Sequence, residues 1–277
     1  MMHATLRYGD PGRPWLLLVH GMLTSARHWE PNLPELERHF NLARVDLPGH
    51  GRSPAPADIA AITADNLIAG FEALRRDLGV SRWFVCGQSF GGGLTLNYAR
   101  RHPDRVIAQA FTNARVVLRD NDHPEEIAAR QARLASFRQE GPDAMRRERF
   151  HPRFAHRFPP ALREALAADA DRIDLGCYAQ ILGEVMPALS LRNVPDGAPI
   201  VPTILINGRH ERIFQPVRDE LVRRWPGLAV ADLDGGHSVN IENPDGFART
   251  LIGFFAAQGA CEAQAGDSIT KHQAWVR

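Results

Sequence analysis

Short apolar runs alternate along this chain with stretches whose apolar residues recur at helical spacing. Trp15–Val19 (WLLLV) is the first clear run and Asn41–Asp46 (NLARVD) the second. Trp83–Cys86, Ile107–Thr112, Val201–Ile206 and Ala229–Leu233 follow. These runs are mostly continuous rather than alternating, the pattern of strands buried on both faces. Between them, Thr63–Leu78 puts Leu67, Ile68, Phe71, Leu74 and Leu78 on one stripe, and Gly79 supplies a helix stop. Leu33–His39 predicts a short helix. Ser89–Arg101 predicts a longer one, halted by His102-Pro103. Strand–helix alternation of this kind predicts a mostly parallel α/β sheet with right-handed crossovers.

The rhythm breaks over 114–199. No strand is predicted there, and Pro124–Gln139, Pro160–Asp171 and Cys177–Leu189 all read as helices. Thirteen arginines balance thirteen acidic residues in this stretch. Because it falls between two sheet strands, we expect residues 1–113 and 200–258 to form one core and 114–199 a helical cap inserted into it. From Gly259 the chain turns small and polar, and 259–277 is expected to be a loosely ordered tail.

Composition narrows the function classes. With 44% hydrophobic and 23% charged residues among 277, a packed globular fold is expected, not a disordered chain or a rod. The net charge of +1 leaves no global basic field for nucleic acid. No apolar run approaches the ~20 residues of a membrane span, and Met1–Asp10 has no apolar core of a signal peptide. Three scattered cysteines, Cys86, Cys177 and Cys261, predict neither a disulfide framework nor a zinc site, so a cytoplasmic location is expected. Lys271 is the only lysine, an arginine bias that points to a GC-rich bacterial genome. No strand leads into a phosphate-binding glycine motif and no His/Cys cluster suggests a metal, so neither cofactor nor metal is expected.

The strongest chemical signal is Gly87-Gln88-Ser89-Phe90-Gly91. Taken alone, a G-x-S-x-G pattern is weak. Here a predicted strand runs straight into it and a predicted helix straight out. A serine on such a turn is strained so that its Oγ stands above the sheet, and the flanking glycines leave room for neighbouring backbone. The bland alternative is a serine N-cap after a glycine turn.

Taken together, several motifs resemble the α/β-hydrolase superfamily over nearly all of 12–258. They are His20-Gly21-Met22, the loop Asp46-Leu47-Pro48-Gly49-His50-Gly51-Arg52-Ser53, the elbow Ser89-Phe90-Gly91-Gly92, and the helix motifs Asn97-Tyr98-Ala99 and His102-Pro103-Asp104-Arg105-Val106. The resemblance implies an α/β-hydrolase fold and a nucleophile, acid and base in the chain order Ser, Asp/Glu, His. Ser89 is then the nucleophile. His237, on the glycine loop Gly235-Gly236 after the last strand, is the base. The acid position, three residues after Gly208, holds Glu211 where the family usually has Asp. The rival readings are a surface pairing of Glu211 with Arg209 or Arg212, with Asp120 as the acid. Asp232 and Asp234 approach His237 from a poor angle. The backbone N–H groups of Met22 and Phe90 are the implied oxyanion donors. His20 and His50 are implied to brace the oxyanion loop, whereas His102, His123, His151 and His156 are expected to be solvated.

One further stretch stands out. Arg146–Arg157 (RRERFHPRFAHR) carries five arginines and one glutamate. It reads as a solvated helix face, with attraction of an anionic substrate or carrier as the alternative. The expected activity is hydrolysis of a small or medium carboxylic ester, lactone or thioester through an acyl-enzyme on Ser89. The alternatives are carbon–carbon bond hydrolysis of a β-diketone-like acid and a non-hydrolytic scaffold or ligand-binding role.

Overall fold

The computed structural model describes the backbone of residues 2–197 and 199–273, and side chains to residue 259. Seven strands form one sheet: β1 (His3–Arg7), β2 (Trp15–Val19), β3 (Asn41–Asp46), β4 (Trp83–Gln88), β5 (Val106–Thr112), β6 (Thr203–Gly208) and β7 (Ala229–Leu233). Their order is β1-β3-β2-β4-β5-β6-β7. β1 pairs antiparallel with β3, and every other pairing is parallel. The six strands read from the sequence are all present, with β6 starting two residues later than expected. β1 went unread because HATLR holds only two apolar residues and sits at an edge.

The helices are α1 (Leu33–Leu36), α2 (Ala64–Asp77), α3 (Phe90–Arg101), α4 (Pro124–Glu140), α5 (Pro142–Arg146), α6 (Pro160–Ala170), α7 (Leu175–Gln180), α8 (Met186–Ala188), α9 (Gln215–Arg224), α10 (Val239–Glu242) and α11 (Pro244–Gln273). α2 shows how the pattern becomes structure. Thr63 caps it by accepting from the Asn66 N–H at 3.1 Å; Leu67, Ile68 and Phe71 are buried; and Gly79 follows at φ +68. α1 starts where predicted but ends at Leu36, three residues early, because the Arg38 and His39 N–H groups turn to the Glu35 and Leu36 carbonyls in a tighter turn. A π-helical segment, Ile181–Val185, joins α7 to α8. Part of the tail after 259 lies outside the described residues.

The two faces of the sheet bury separate clusters. Leu17, Val19 and Val85 pack with α2 and α3, while Leu16, Leu18 and Cys86 pack with Phe247, Leu251 and Phe255 of α11. This double burial explains the continuous apolar runs. Among the described residues, every element between β5 and β6 is helical. No described helix is long and apolar enough to cross a membrane.

Candidate active site

Ser89 sits between β4 and α3 at φ +53 and ψ −114, a conformation that L-residues rarely adopt. Crowding holds it there. A Cβ on Gly87 would come within 2.2 Å of the Gly91 carbonyl oxygen, and one on Gly91 within 2.4 Å of the Val19 carbonyl oxygen. The Ser89 N–H donates to the Thr112 carbonyl at 3.0 Å, tying the turn to β5. Phe90 then opens α3, so its N–H is among the free donors at the positive end of a twelve-residue helix.

The loop after β2 faces this turn. His20 is fully buried: its Nδ1–H donates to the Gly21 carbonyl at 2.7 Å, and its Nε2 accepts from the Leu47 N–H at 3.0 Å. Desolvation by burial lowers its pKa to about 4. The neutral ring therefore latches the loop carrying Met22 to the end of β3. His50, 5.4 Å away ring to ring, donates to the Pro48 carbonyl and is likewise pushed down by burial, to about 3.

Two further loops bring Glu211 and His237 together. A Cβ on Gly208 would meet the Gly236 carbonyl oxygen at 1.9 Å, so the loops after β6 and β7 press together at glycines. Their backbones are also stitched: the Arg209 N–H donates to the Leu233 carbonyl and the His210 N–H to the Gly235 carbonyl. Glu211 Oε2 lies 2.9 Å from His237 Nδ1. It is buried, so the surface pairing considered for Glu211 is absent; Arg209 pairs with Asp234 instead. Asp120, the rival acid, pairs with Arg192, and Asp232 with Arg218.

Sequence reasoning missed Asn113. It is fully buried at φ +34, directly after β5. Its Nδ2 donates to Glu211 Oε2 at 2.6 Å and its Oδ1 accepts from the Gly208 N–H at 2.9 Å. Asn113 thus fixes the carboxylate that holds His237. The available signal was a polar residue at the carboxyl end of an apolar strand. Gln88 was also overlooked: it donates to the His237 carbonyl at 3.1 Å.

Ser89, Phe90, Met22 and His237 line one cavity. The Phe150 ring lies 4.4 Å from that of His237, and Met22, Phe150 and His237 also wall a second cavity beside the first. The Arg146–Arg157 stretch is largely neutralised. Arg146 pairs with Asp143 and Asp171, Arg147 with Glu140, Arg153 with Asp171 and Arg157 with Glu242, while Arg149 lies over the Phe150 ring. His151, expected to be solvated, is buried, its Nε2 3.5 Å from Asp171. Among the described residues no cluster of His, Cys, Asp or Glu is arranged to hold a metal.

A family model described as alpha/beta hydrolase fold matches residues 14–244. The chain is 27% identical over 268 residues to a 2-succinyl-6-hydroxy-2,4-cyclohexadiene-1-carboxylate synthase from Serratia proteamaculans, covering 92% of this chain and 98% of that protein. It is 37% identical to a pimeloyl-[acyl-carrier protein] methyl ester esterase from Neisseria meningitidis over 115 residues, 40% of this chain and 41% of the esterase. The crystal structure of an enol-lactonase from Burkholderia xenovorans superposes with a TM-score of 0.78 at 27% identity, covering 92% of this chain and 96% of that one.

Proposed function

The chain belongs to the alpha/beta hydrolase fold family and is a hydrolase of that family, and from this premise we propose that it cleaves a small or medium carboxylic ester, lactone or thioester through a Ser89–His237–Glu211 triad. The observation that carries the reading is the 2.9 Å contact from Glu211 Oε2 to His237 Nδ1, with His237 and Ser89 on the wall of one cavity. Resemblance to an esterase and to an enol-lactonase supports an acyl substrate.

Each residue then has a distinct task. Glu211 fixes the His237 tautomer with Nδ1–H towards itself and stabilises the imidazolium that forms. Ser89 Oγ attacks the carbonyl carbon while His237 Nε2 takes its proton. The oxyanion is received by the N–H groups of Phe90 and Met22, each such donor contributing about 3 kcal/mol. His237 returns the proton to the leaving group. Water, deprotonated by the same nitrogen, releases the acid from Ser89. The helical segment 114–199 acts as the cap that walls the cavity.

A panel of p-nitrophenyl esters and a fluorophosphonate test this. We expect turnover, and labelling of one peptide containing Ser89. Both should vanish in Ser89→Ala, and Glu211→Gln should lower kcat by about 10⁴ with little change in KM. Labelling of Ser89→Ala at the wild-type rate, or wild-type turnover by Glu211→Gln, rejects the triad.

A further inference from the structure

The cavity lined by Ser89 and His237 is also lined by three arginines, Arg115, Arg119 and Arg133, and one glutamate, Glu148. Arg133 is occupied: Nε and Nη2 donate to Glu148 at 3.0 and 2.6 Å, and Nη2 also reaches the Tyr178 hydroxyl at 3.3 Å. Arg119 leans towards Glu126 at 3.6 Å, outside the cavity wall. Arg115, half-buried, has no acidic partner or hydrogen-bond acceptor for its guanidinium among the described residues.

An uncompensated cation at a partly desolvated wall is unfavourable until an anion joins it. Burial lowers the pKa of the Arg119 guanidinium; Glu126 opposes this, and Arg115, Arg133 and Arg130 add to it. Arginines do not relieve such crowding by losing a proton at ordinary pH. With Arg133 and Arg119 each holding a carboxylate, one charge remains open. A planar monoanion satisfies that better than a phosphate dianion, and a guanidinium fork fits a carboxylate edge to edge.

The register sets the reach. β4 and β5 are parallel neighbours with Gln88 opposite Thr112, so Ser89 and Arg115 follow strand ends about 5 Å apart. Arg115 lies only three residues beyond the end of β5.

We propose that Arg115 binds a free carboxylate on the acyl portion of the substrate, so that the preferred substrates are half-esters or half-thioesters of short dicarboxylic acids. This rests on the acyl-transfer reading above and adds a subsite to it. It also moves anion recognition from the 146–157 stretch, whose arginines other than Arg149 are paired with carboxylates, to the cavity wall.

The test compares mono-p-nitrophenyl adipate with its methyl ester, a neutral analogue of the same length. In the wild type the half-ester should lead by at least about tenfold in kcat/KM, and the lead should collapse in Arg115→Gln. Titration calorimetry with adipate and adipamide gives a readout that needs no turnover. The wild type should bind adipate and not the diamide, and Arg115→Gln should lose adipate. If Arg115→Gln fails to fold, the wild-type ester ratio and the adipate–adipamide contrast still decide between acceptance and rejection. Equal or faster hydrolysis of the neutral ester, or equal binding of acid and diamide, overturns the proposal while leaving the hydrolase intact. Absent turnover and absent Ser89 labelling with adipate still bound instead reject the acyl-transfer reading and keep the anion site.

Discussion

The turn that carries Ser89 and the helices that roof its cavity are built by opposite means. In the turn, backbone meets backbone: Gly87 and Gly91 sit where a single added carbon would strike a carbonyl oxygen. In the roof, side chains meet side chains through arginine–carboxylate pairs such as Arg133–Glu148 and Arg146–Asp171, most of them partly exposed. The first construction tolerates almost no change and holds its atoms in one place. The second can be rearranged pair by pair, because exposed ion pairs contribute little to stability. Under the proposed function, a rigid floor with an adjustable roof would separate the chemistry from the choice of substrate.

The contrast can be broken most forcefully at Gly91. Gly91→Ala should destabilise the protein by about 3 kcal/mol or more, lowering Tm by roughly 6–12 °C, because the elbow cannot move away from β2. Ser89→Gly in the same turn should have the opposite sign on stability, raising Tm by about a few degrees as the strain at φ +53 is released, while turnover is lost. Thermal melts of both variants decide it. A Gly91→Ala melt within a degree of wild type would mean that the turn is pliable after all. The smallest effect is expected in the roof. The double variant Arg146→Ala, Arg147→Ala should shift Tm by no more than about two degrees. It should leave the ratio of anionic to neutral ester hydrolysis within about twofold, since both residues are already paired with carboxylates. A loss of anionic preference in that variant would return the 146–157 stretch to the substrate.

The same contrast explains what could be read from the chain. Strands β2 to β7 were legible because double burial leaves an apolar run. The elbow was legible because close backbone contact demands glycine at fixed offsets from Ser89. Glu211 and His237 could be placed by their offsets from Gly208 and Gly236, the glycines at which their loops touch. Asn113 was not legible, because nothing local marks it; its role arises only when β5 and β6 lie side by side and its amide reaches across to Glu211. His151 was misjudged for a similar reason, since its burial depends on Asp171 and the helices around it. The arginines of 114–199 are indistinguishable in sequence. Which face the cavity and which cancel on the surface is decided by partners as far as 85 residues away, as in Arg157–Glu242.

The latch made by His20 also acts as a proton fuse. Its neutral ring spends one nitrogen as donor and the other as acceptor, so a second proton would set an N–H against the Leu47 N–H. His20, His28 and His50 are all held below the ordinary value of 6.5 by burial, to about 4, 3 and 3. The unfolded chain takes up these protons first. Stability from the three is therefore fully present above pH ~6.5 and drains as pH falls towards 4, by about 1.4 kcal/mol per pH unit for each ring. His28→Gln should flatten that acid slope by about a third in melts recorded across the window, and an unchanged slope would place the acid sensitivity elsewhere. Acidification thus acts on the loop anchored by His20 through the unfolded chain, so an acid limit of this protein is written into its folding equilibrium.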